Sequence, residues 1–256
     1  MSQPSQEDWT ENRLLGGRIT VRQSKIGYRA GMDAALLAAA CDAKPGERVL
    51  ETGCGPGAAL LSAAVRRDGV NFVGLERDQE ARALAASNID LNALQGRVQA
   101  IAGDIAKPFS YLKLKPFDAA IANPPFFDDA SALRGPAPAR RAAWIADQGL
   151  AGWTTFLLKA VREGGTITVI HRAERLGDLI ALLSAKAGSF RIRPIHPFSD
   201  TPAKRVIVRA IKTGKAPLVL LPPLILHERG GAKHTDAAEA ILRGETGLPW
   251  DEPIAR

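Results

Sequence analysis

Two short stretches hold most of the chemistry-bearing residues of this chain. The first, Glu51-Thr52-Gly53-Cys54-Gly55-Pro56-Gly57, sets three glycines at alternate positions behind an apolar run. Glycines let the backbone turn tightly and let a ligand approach the peptide closely. The dinucleotide fingerprint G-x-G-x-x-G would place its third glycine one residue later, where Ala58 stands. Glu51 would also repel a pyrophosphate, whereas a carboxylate there suits a cationic or amino-bearing ligand. A tight structural turn and a nicotinamide site are the competing readings. The second stretch, Ala122-Asn123-Pro124-Pro125-Phe126-Phe127-Asp128-Asp129, sets two prolines behind an asparagine. Proline cannot donate to a β-ladder, so the pair should stop a strand. The simpler reading ends there, with Phe126 and Phe127 in the core. The richer one is a stiff loop that presents an amide oxygen, a fixed carbonyl and a ring.

Both stretches need strands behind them, and the pattern supplies these. "RVLET", "VNFVGLER", "RVQAIAGD" and "FDAAIANPP" read as strands, separated by the helical patterns "AALLSAAVRR" and "QEARALAASNIDLNAL". Upstream, "VRQSKIGYRAG" suggests a short strand or hairpin, and "MDAALLAAACDA" a helix with Asp33 as a cap candidate. Downstream come the helix "AGWTTFLLKAVREGG" ending in glycines, the strand "TITVIHR", the helix "LGDLIALLSAKAG", and the strands "FRIRPIHPF" and "KRVIVRAIK". Only Ser199–Pro202 separates the last two strands, which predicts an antiparallel hairpin at one sheet edge. Strands alternating with helices predict an α/β fold with a doubly wound, mostly parallel seven-stranded sheet. The expected division is a segment 1–45 over the ligand site, a main domain 46–214, and a tail 215–256 with a short helix capped by Thr235.

In such a sheet Glu51, Glu76 and Asp104 stand at three strand ends along one edge, where open α/β folds bind ligands. The E-x-G-x-G-x-G stretch resembles the first motif of class I S-adenosylmethionine-dependent methyltransferases. That resemblance implies roles for the two further acids. Glu76 would accept the ribose hydroxyls of an adenosine, and Asp104 its adenine amino group, the simpler readings being an exposed strand end and a helix cap. "GYRAGMDAALLAA" resembles the segment that some of these enzymes fold over the methionine end of the cofactor, with Arg29 and Asp33 in it. The implied cofactor set is Arg29, Asp33, Glu51, Thr52, Gly53, Gly55, Gly57, Glu76, Arg77, Asp104, Ile105 and Asn123, with no metal.

Asn123-Pro124-Pro125-Phe126 resembles the N/D-P-P-Y/F motif of methyltransferases that modify planar amines of adenine, guanine, cytosine or glutamine. Such an amine is a poor nucleophile because its lone pair is delocalised. The Asn123 side-chain oxygen and the Pro124 carbonyl can accept its two N–H groups and aim the nitrogen at a sulfonium methyl. Pro125 keeps the loop stiff, Phe126 can stack on a flipped base, and no general base is required in the approach. The chain is too short before Glu51 for the helical domain of the glutamine methyltransferases, and has no room for the second domain copy of one ribosomal guanine-N2 class. Over roughly residues 10–245 it is most similar to the bacterial tRNA(valine) adenine-N6 methyltransferase family, which implies tRNA as partner. A protein glutamine amide, an rRNA amine, or an inactive RNA-binding protein of the same fold are the alternatives.

Composition agrees with a nucleic-acid partner. The 256 residues carry a formal charge of +7, which favours polyanions. Arg134, Arg140 and Arg141 follow the proline motif, and Lys204 and Arg205, with Arg191 and Arg193 on the preceding strand, could extend a phosphate-binding surface. The simpler reading is a set of solubilising charges. Two cysteines, Cys41 and Cys54, form neither a disulfide framework nor a zinc spacing, and the polar start lacks a signal core. The greasy runs are too short to span a bilayer. The expectation is a cytoplasmic protein with no membrane contact and no obligate protein partner.

Overall fold

The computed structural model describes residues 9–25, 31–125 and 149–251. Its centre is a sheet of nine strands. The parallel core comprises β3 (Arg48–Thr52), β4 (Asn71–Glu76), β5 (Val98–Ala102), β6 (Phe117–Ala122) and β7 (Val161–Arg172). β8 (Ala187–His196) and β9 (Arg205–Lys212) form the expected antiparallel hairpin, but β9 inserts between β7 and β8. The seven strands therefore run in the order β5-β4-β3-β6-β7-β9-β8. Two short strands unforeseen in the sequence, β10 (Val219–Leu220) and β11 (Leu224–Ile225), both add parallel to β8, so the hairpin is not a bare edge. Pro222 and Pro223 divide them, because proline breaks the ladder.

Both faces of the sheet are covered, which explains why its strands read as continuous apolar runs. Along β3, Val49 faces one core and Leu50 the other; along β6, Ala119 and Ile121 alternate with Ala120 and Ala122 in the same way. The first core takes α1 (Met32–Ala40), α2 (Ala58–Arg66), α3 (Gln79–Leu91) and the late helix α6 (Asp236–Arg243). The second takes α4 (Gly149–Ala160) and α5 (Leu176–Leu183). An antiparallel hairpin, β1 (Trp9–Leu14) and β2 (Ile19–Ser24), packs on α3, where Asn88 and Asn92 bond the backbone of Arg22 and Thr20.

Three local expectations change. Asp33 does not cap α1: the N-cap is Gly31, with no side-chain bond, and Asp33 instead pairs with Arg205 at 3.0 Å. α4 ends at Ala160, before the glycines, because Val161 already pairs with Phe117 and Gly164–Gly165 form an irregularity within β7. Arg193 is no surface cation. It is fully buried in β8, and its guanidinium donates to the carbonyls of Pro222, at 2.8 Å, and Pro249. Thr235 does cap α6, accepting from the Ala238 N–H at 3.2 Å.

Candidate active site

The chain order reverses at β3. It moves outward through β4 and β5, then crosses back to β6 on the other side of β3, and open α/β sheets bind ligands at such a switch point. The register makes the site compact. Thr52 pairs with Leu75 on one side and Ala122 on the other, so Gly53, Glu76 and Asn123 leave the sheet level with one another on adjacent strands, each about 4.8 Å from the next.

The glycine loop is stapled to β4. The N–H groups of Gly53 and Cys54 both donate to the Leu75 carbonyl, at 2.8 and 3.1 Å. Gly55 N–H donates to Glu76 Oε2 at 2.8 Å, and Asp78 N–H to Oε1 at 2.9 Å. Glu76 thus orients the loop that it borders, and each oxygen keeps acceptor capacity for a hydroxyl. Gly53 has φ of 64°, and a Cβ there would lie 2.5 Å from Trp153 Cη2, so the indole of α4 forms the floor of the loop.

Strand alternation sends Glu51 toward α2 and Thr52 toward Trp153. Glu51 is buried, and its carboxyl accepts the Leu60 N–H near the start of α2. Among the described residues its Oε2 has no partner, nor have Thr52 Oγ1 and Trp153 Nε1. Burial pushes the Glu51 pKa well above the carboxylate range, the nearby Glu76 charge pushes it further, and the Leu60 bond opposes both. Burial and the second carboxylate favour the protonated form of Glu51, and a cation beside it would favour the ionised one. The donor set therefore fits a cationic, hydroxyl-bearing cofactor. Thiol chemistry is not on offer: burial raises Cys54 well above its ordinary value and pushes Cys41 up to about 11. Among the described residues no group of three or more His, Cys, Asp or Glu could hold a metal ion.

Of the residues nominated from sequence, Glu51, Thr52, Gly53, Gly55, Gly57, Glu76 and Asn123 meet at this edge. Pro124 is buried, and Asn123 and Pro125 are half-buried behind it. Asp104 follows β5, whose Ala102 pairs with Glu76; its Oδ1 accepts the Ala106 N–H at 2.9 Å in a turn and caps no helix. Ile105 packs on the second core and Arg77 is exposed. Arg205 is tied to Asp33, Arg191 pairs with Asp251 at 2.9 Å, and Lys204 is exposed. Arg29, Phe126, Arg134, Arg140 and Arg141 lie outside the described residues. Trp153 was not anticipated: the sequence offered only a glycine where something bulky had to approach, without saying what.

Comparison with known proteins bears on this arrangement. Residues 29–135, which contain both motifs, match the model of the methyltransferase small domain. The crystal structure of a predicted O-methyltransferase from Agrobacterium tumefaciens superposes with a TM-score of 0.70 at 25% identity, covering 84% of this chain and 98% of that one. The chain is an S-adenosylmethionine-dependent methyltransferase. The enzyme is also 28% identical over 227 residues, 88% of its length and 94% of the relative's, to the tRNA1(Val) (adenine(37)-N6)-methyltransferase of Haemophilus influenzae. A protein of the same description from Dyadobacter fermentans is 25% identical over 230 residues, 88% of the enzyme and 93% of that relative. In the described part of the enzyme, no helix is long and apolar enough to cross a membrane.

Proposed function

We propose that the enzyme methylates the exocyclic N6 of an adenine in tRNA, at the position beside the anticodon, and so works on RNA in the cytoplasm. The observation that carries this reading is the placement of Asn123-Pro124 one residue past the Thr52–Ala122 pair, level with the glycine loop. An asparagine oxygen and a proline carbonyl form an acceptor pair for an NH2 group, where a hydroxyl acceptor would offer only one hydrogen. The likeness over 88% of the chain to two adenine-N6 enzymes of tRNA supports the choice of base.

When bound, S-adenosylmethionine supplies a methyl group on a positively charged sulfur. Around it, Glu51 ionises to balance the ligand's charge, Glu76 accepts the ribose hydroxyls, and Asp104, with Ile105 beside it, borders the adenine. Thr52, Gly53, Gly55, Gly57 and Arg77 complete the wall. Asn123 and Pro124 hold the target amine through both N–H groups, so its lone pair turns out of the ring plane and toward the methyl. Asn123 and Pro124 would keep the nitrogen aimed at the methyl that it takes up from the cofactor, while one amine proton passes to water. Pro125 fixes the carbonyl, and Phe126 stacks on the base. Asp33, tied to Arg205, would have to share that ion pair to reach an ammonium group, a role also assigned to the segment holding Arg29. Arg134, Arg140, Arg141, Lys204 and Arg205 are the cations assigned to the RNA phosphates.

The experiment is methyl transfer to a tRNA(Val) transcript with adenine or guanine at position 37, read by nucleoside mass spectrometry. N6-methyladenosine should form only on the adenine transcript. Asn123→Ala should lower kcat by about 100- to 1,000-fold, the scale of losing one aligned polar partner of the transition state, while the affinity for S-adenosylmethionine changes less than threefold. Equal turnover of the two transcripts, methylation of a glutamine peptide instead, or full activity of the variant would refute the reading.

A further inference from the structure

A second cluster stands at the same end of the sheet, outside the methyl-transfer site. β8 ends at His196 and returns to β9 through residues 197–204, while β11 runs into a turn spanning 226–235. These two segments are laced together: Leu226 N–H donates to the His196 carbonyl and His227 N–H to the Pro197 carbonyl, both at 2.9 Å. Thr235 closes the turn, its N–H donating to Leu226 at 3.0 Å and its hydroxyl to the Ile225 carbonyl at 2.7 Å. On this frame Phe198 and His227 have ring centroids 5.6 Å apart, and His227 stacks on His234 at 5.1 Å and 27°. The Arg229 guanidinium lies 4.6 Å over the Phe198 ring, held by Asp200 at 3.1 and 3.2 Å.

Two stacked imidazoles, a phenyl ring tilted 49° to His227, and a guanidinium over that phenyl therefore meet outside both apolar cores. Burial does not explain this composition, because the rings are half-buried and the Arg229 side chain is 64% exposed. A flat cation fixed by a carboxylate and backed by a ring is a surface on which a nucleobase can continue the stack. Lys204 and Lys233 are exposed on the same two segments and carry charge complementary to phosphate. β8 runs parallel to the core strands, so its end shares the edge that carries Asn123. Three strand spacings, about 14 Å, separate β8 from β6.

We propose that Phe198, His227, His234 and Arg229 form a base-stacking surface that grips single-stranded or loop RNA flanking the nucleotide being methylated, with Lys204 and Lys233 meeting its phosphates. The inference rests on the reading that RNA is the substrate, and it adds where that RNA is held. The surface contributes binding alone, since none of these side chains belongs to the amine or cofactor site.

The test measures RNA affinity apart from methyl transfer, by fluorescence anisotropy of a labelled tRNA(Val) transcript at several salt concentrations. Arg229→Ala and the double variant His227→Ala/His234→Ala should each weaken binding about tenfold or more, as expected for losing a stacked base. Their KM for RNA should rise in step, with kcat and the affinity for S-adenosylmethionine unchanged. Arg229→Lys keeps the charge but loses the plane and should stay weak. Lys204→Gln/Lys233→Gln should flatten the slope of log affinity against log salt by about 1–2. Thermal melting identifies any variant that fails to fold, and the exposed Arg229 and lysine variants then decide between the outcomes. Wild-type affinity in those variants, full rescue by Arg229→Lys, or a wild-type enzyme that binds no RNA would overturn the proposal. The first two results leave adenine methylation standing, because the transfer assay is scored separately; variants that lose RNA affinity would support the surface even if another base were the one methylated.

Discussion

The contact between Gly53 and Trp153 can be tested quantitatively. Gly53→Ala meets two obstacles in this structure: a φ of 64° and a Cβ only 2.5 Å from Trp153 Cη2. The left-handed backbone costs a residue with a Cβ about 1–2 kcal/mol. Forcing a methyl into a filled space costs about 1–3 kcal/mol more. The substitution should therefore destabilise the protein by about 2–5 kcal/mol. Trp153→Phe withdraws the outer ring atoms, Cη2 and Cζ3, that make the clash, at a cost of its own of about 2 kcal/mol. In that background Gly53→Ala should cost only the backbone share, about 1–2 kcal/mol, which leaves a coupling energy of about 1–3 kcal/mol. The assay is urea denaturation of the four proteins with a common m value, followed by calorimetric titration of each with S-adenosylmethionine. The affinity lost in Gly53→Ala should return in part in the double variant. Costs that add to within about 0.5 kcal/mol would refute the account of Trp153 as the floor of the loop.

Two further substitutions probe the buried polar groups. Glu51 has a raised folded-state pKa, so its protonated form folds without penalty, and the protein loses stability as pH rises from the ordinary carboxylate range through the folded value. Glu51→Gln should therefore melt higher than the cofactor-free wild type at pH 8, with the gap closing near pH 4; a gap independent of pH would contradict the burial argument. The same variant should bind S-adenosylmethionine more weakly and abolish the proton release that titrations in buffers of different ionisation enthalpy should detect for the wild type. Arg193→Met leaves the Pro222 and Pro249 carbonyls without their donor, so unfolding should come at lower denaturant by the equivalent of about 2–4 kcal/mol. Limited proteolysis of that variant should cut first after residue 214, and cleavage no faster than in wild type would show that Arg193 does not hold the segment.

The architecture was readable because both faces of the sheet are covered. Continuous apolar strands alternating with helices leave few other packings, and the acids at strand ends and Asn123-Pro124 were legible as neighbours on one sheet edge, where Glu51, Glu76 and Asn123 do lie together. What could not be read was how charged side chains are spent. Arg193 and Arg205 look alike in sequence, yet one is buried against carbonyls and the other faces Asp33. Their fates depend on partners 29 and 172 positions away. Asp33 missed its expected cap role because the helix already begins at Met32 with Gly31 at the cap position, which leaves its carboxylate to Arg205. β10 and β11 were hidden because two-residue strands punctuated by prolines carry no periodicity.

The way the late segment is fastened has a consequence for how the molecule is made. Arg18 donates to the carbonyl of Gly244, and Arg66 to those of Ile241 and Thr246, all at the C-terminal end of α6. The indole of Trp250 and the amide of Leu248 bond the Ala40 and Ala39 carbonyls at the end of α1. During synthesis, α1 and α2 leave the ribosome well before their partners exist. Loops that long must close before these contacts return any energy, and such contacts form late. The layer of helices over the glycine loop is therefore completed only when residues near 250 have emerged. A growing chain therefore carries the glycine loop early, while the contacts that complete this helix layer wait for residues near 250.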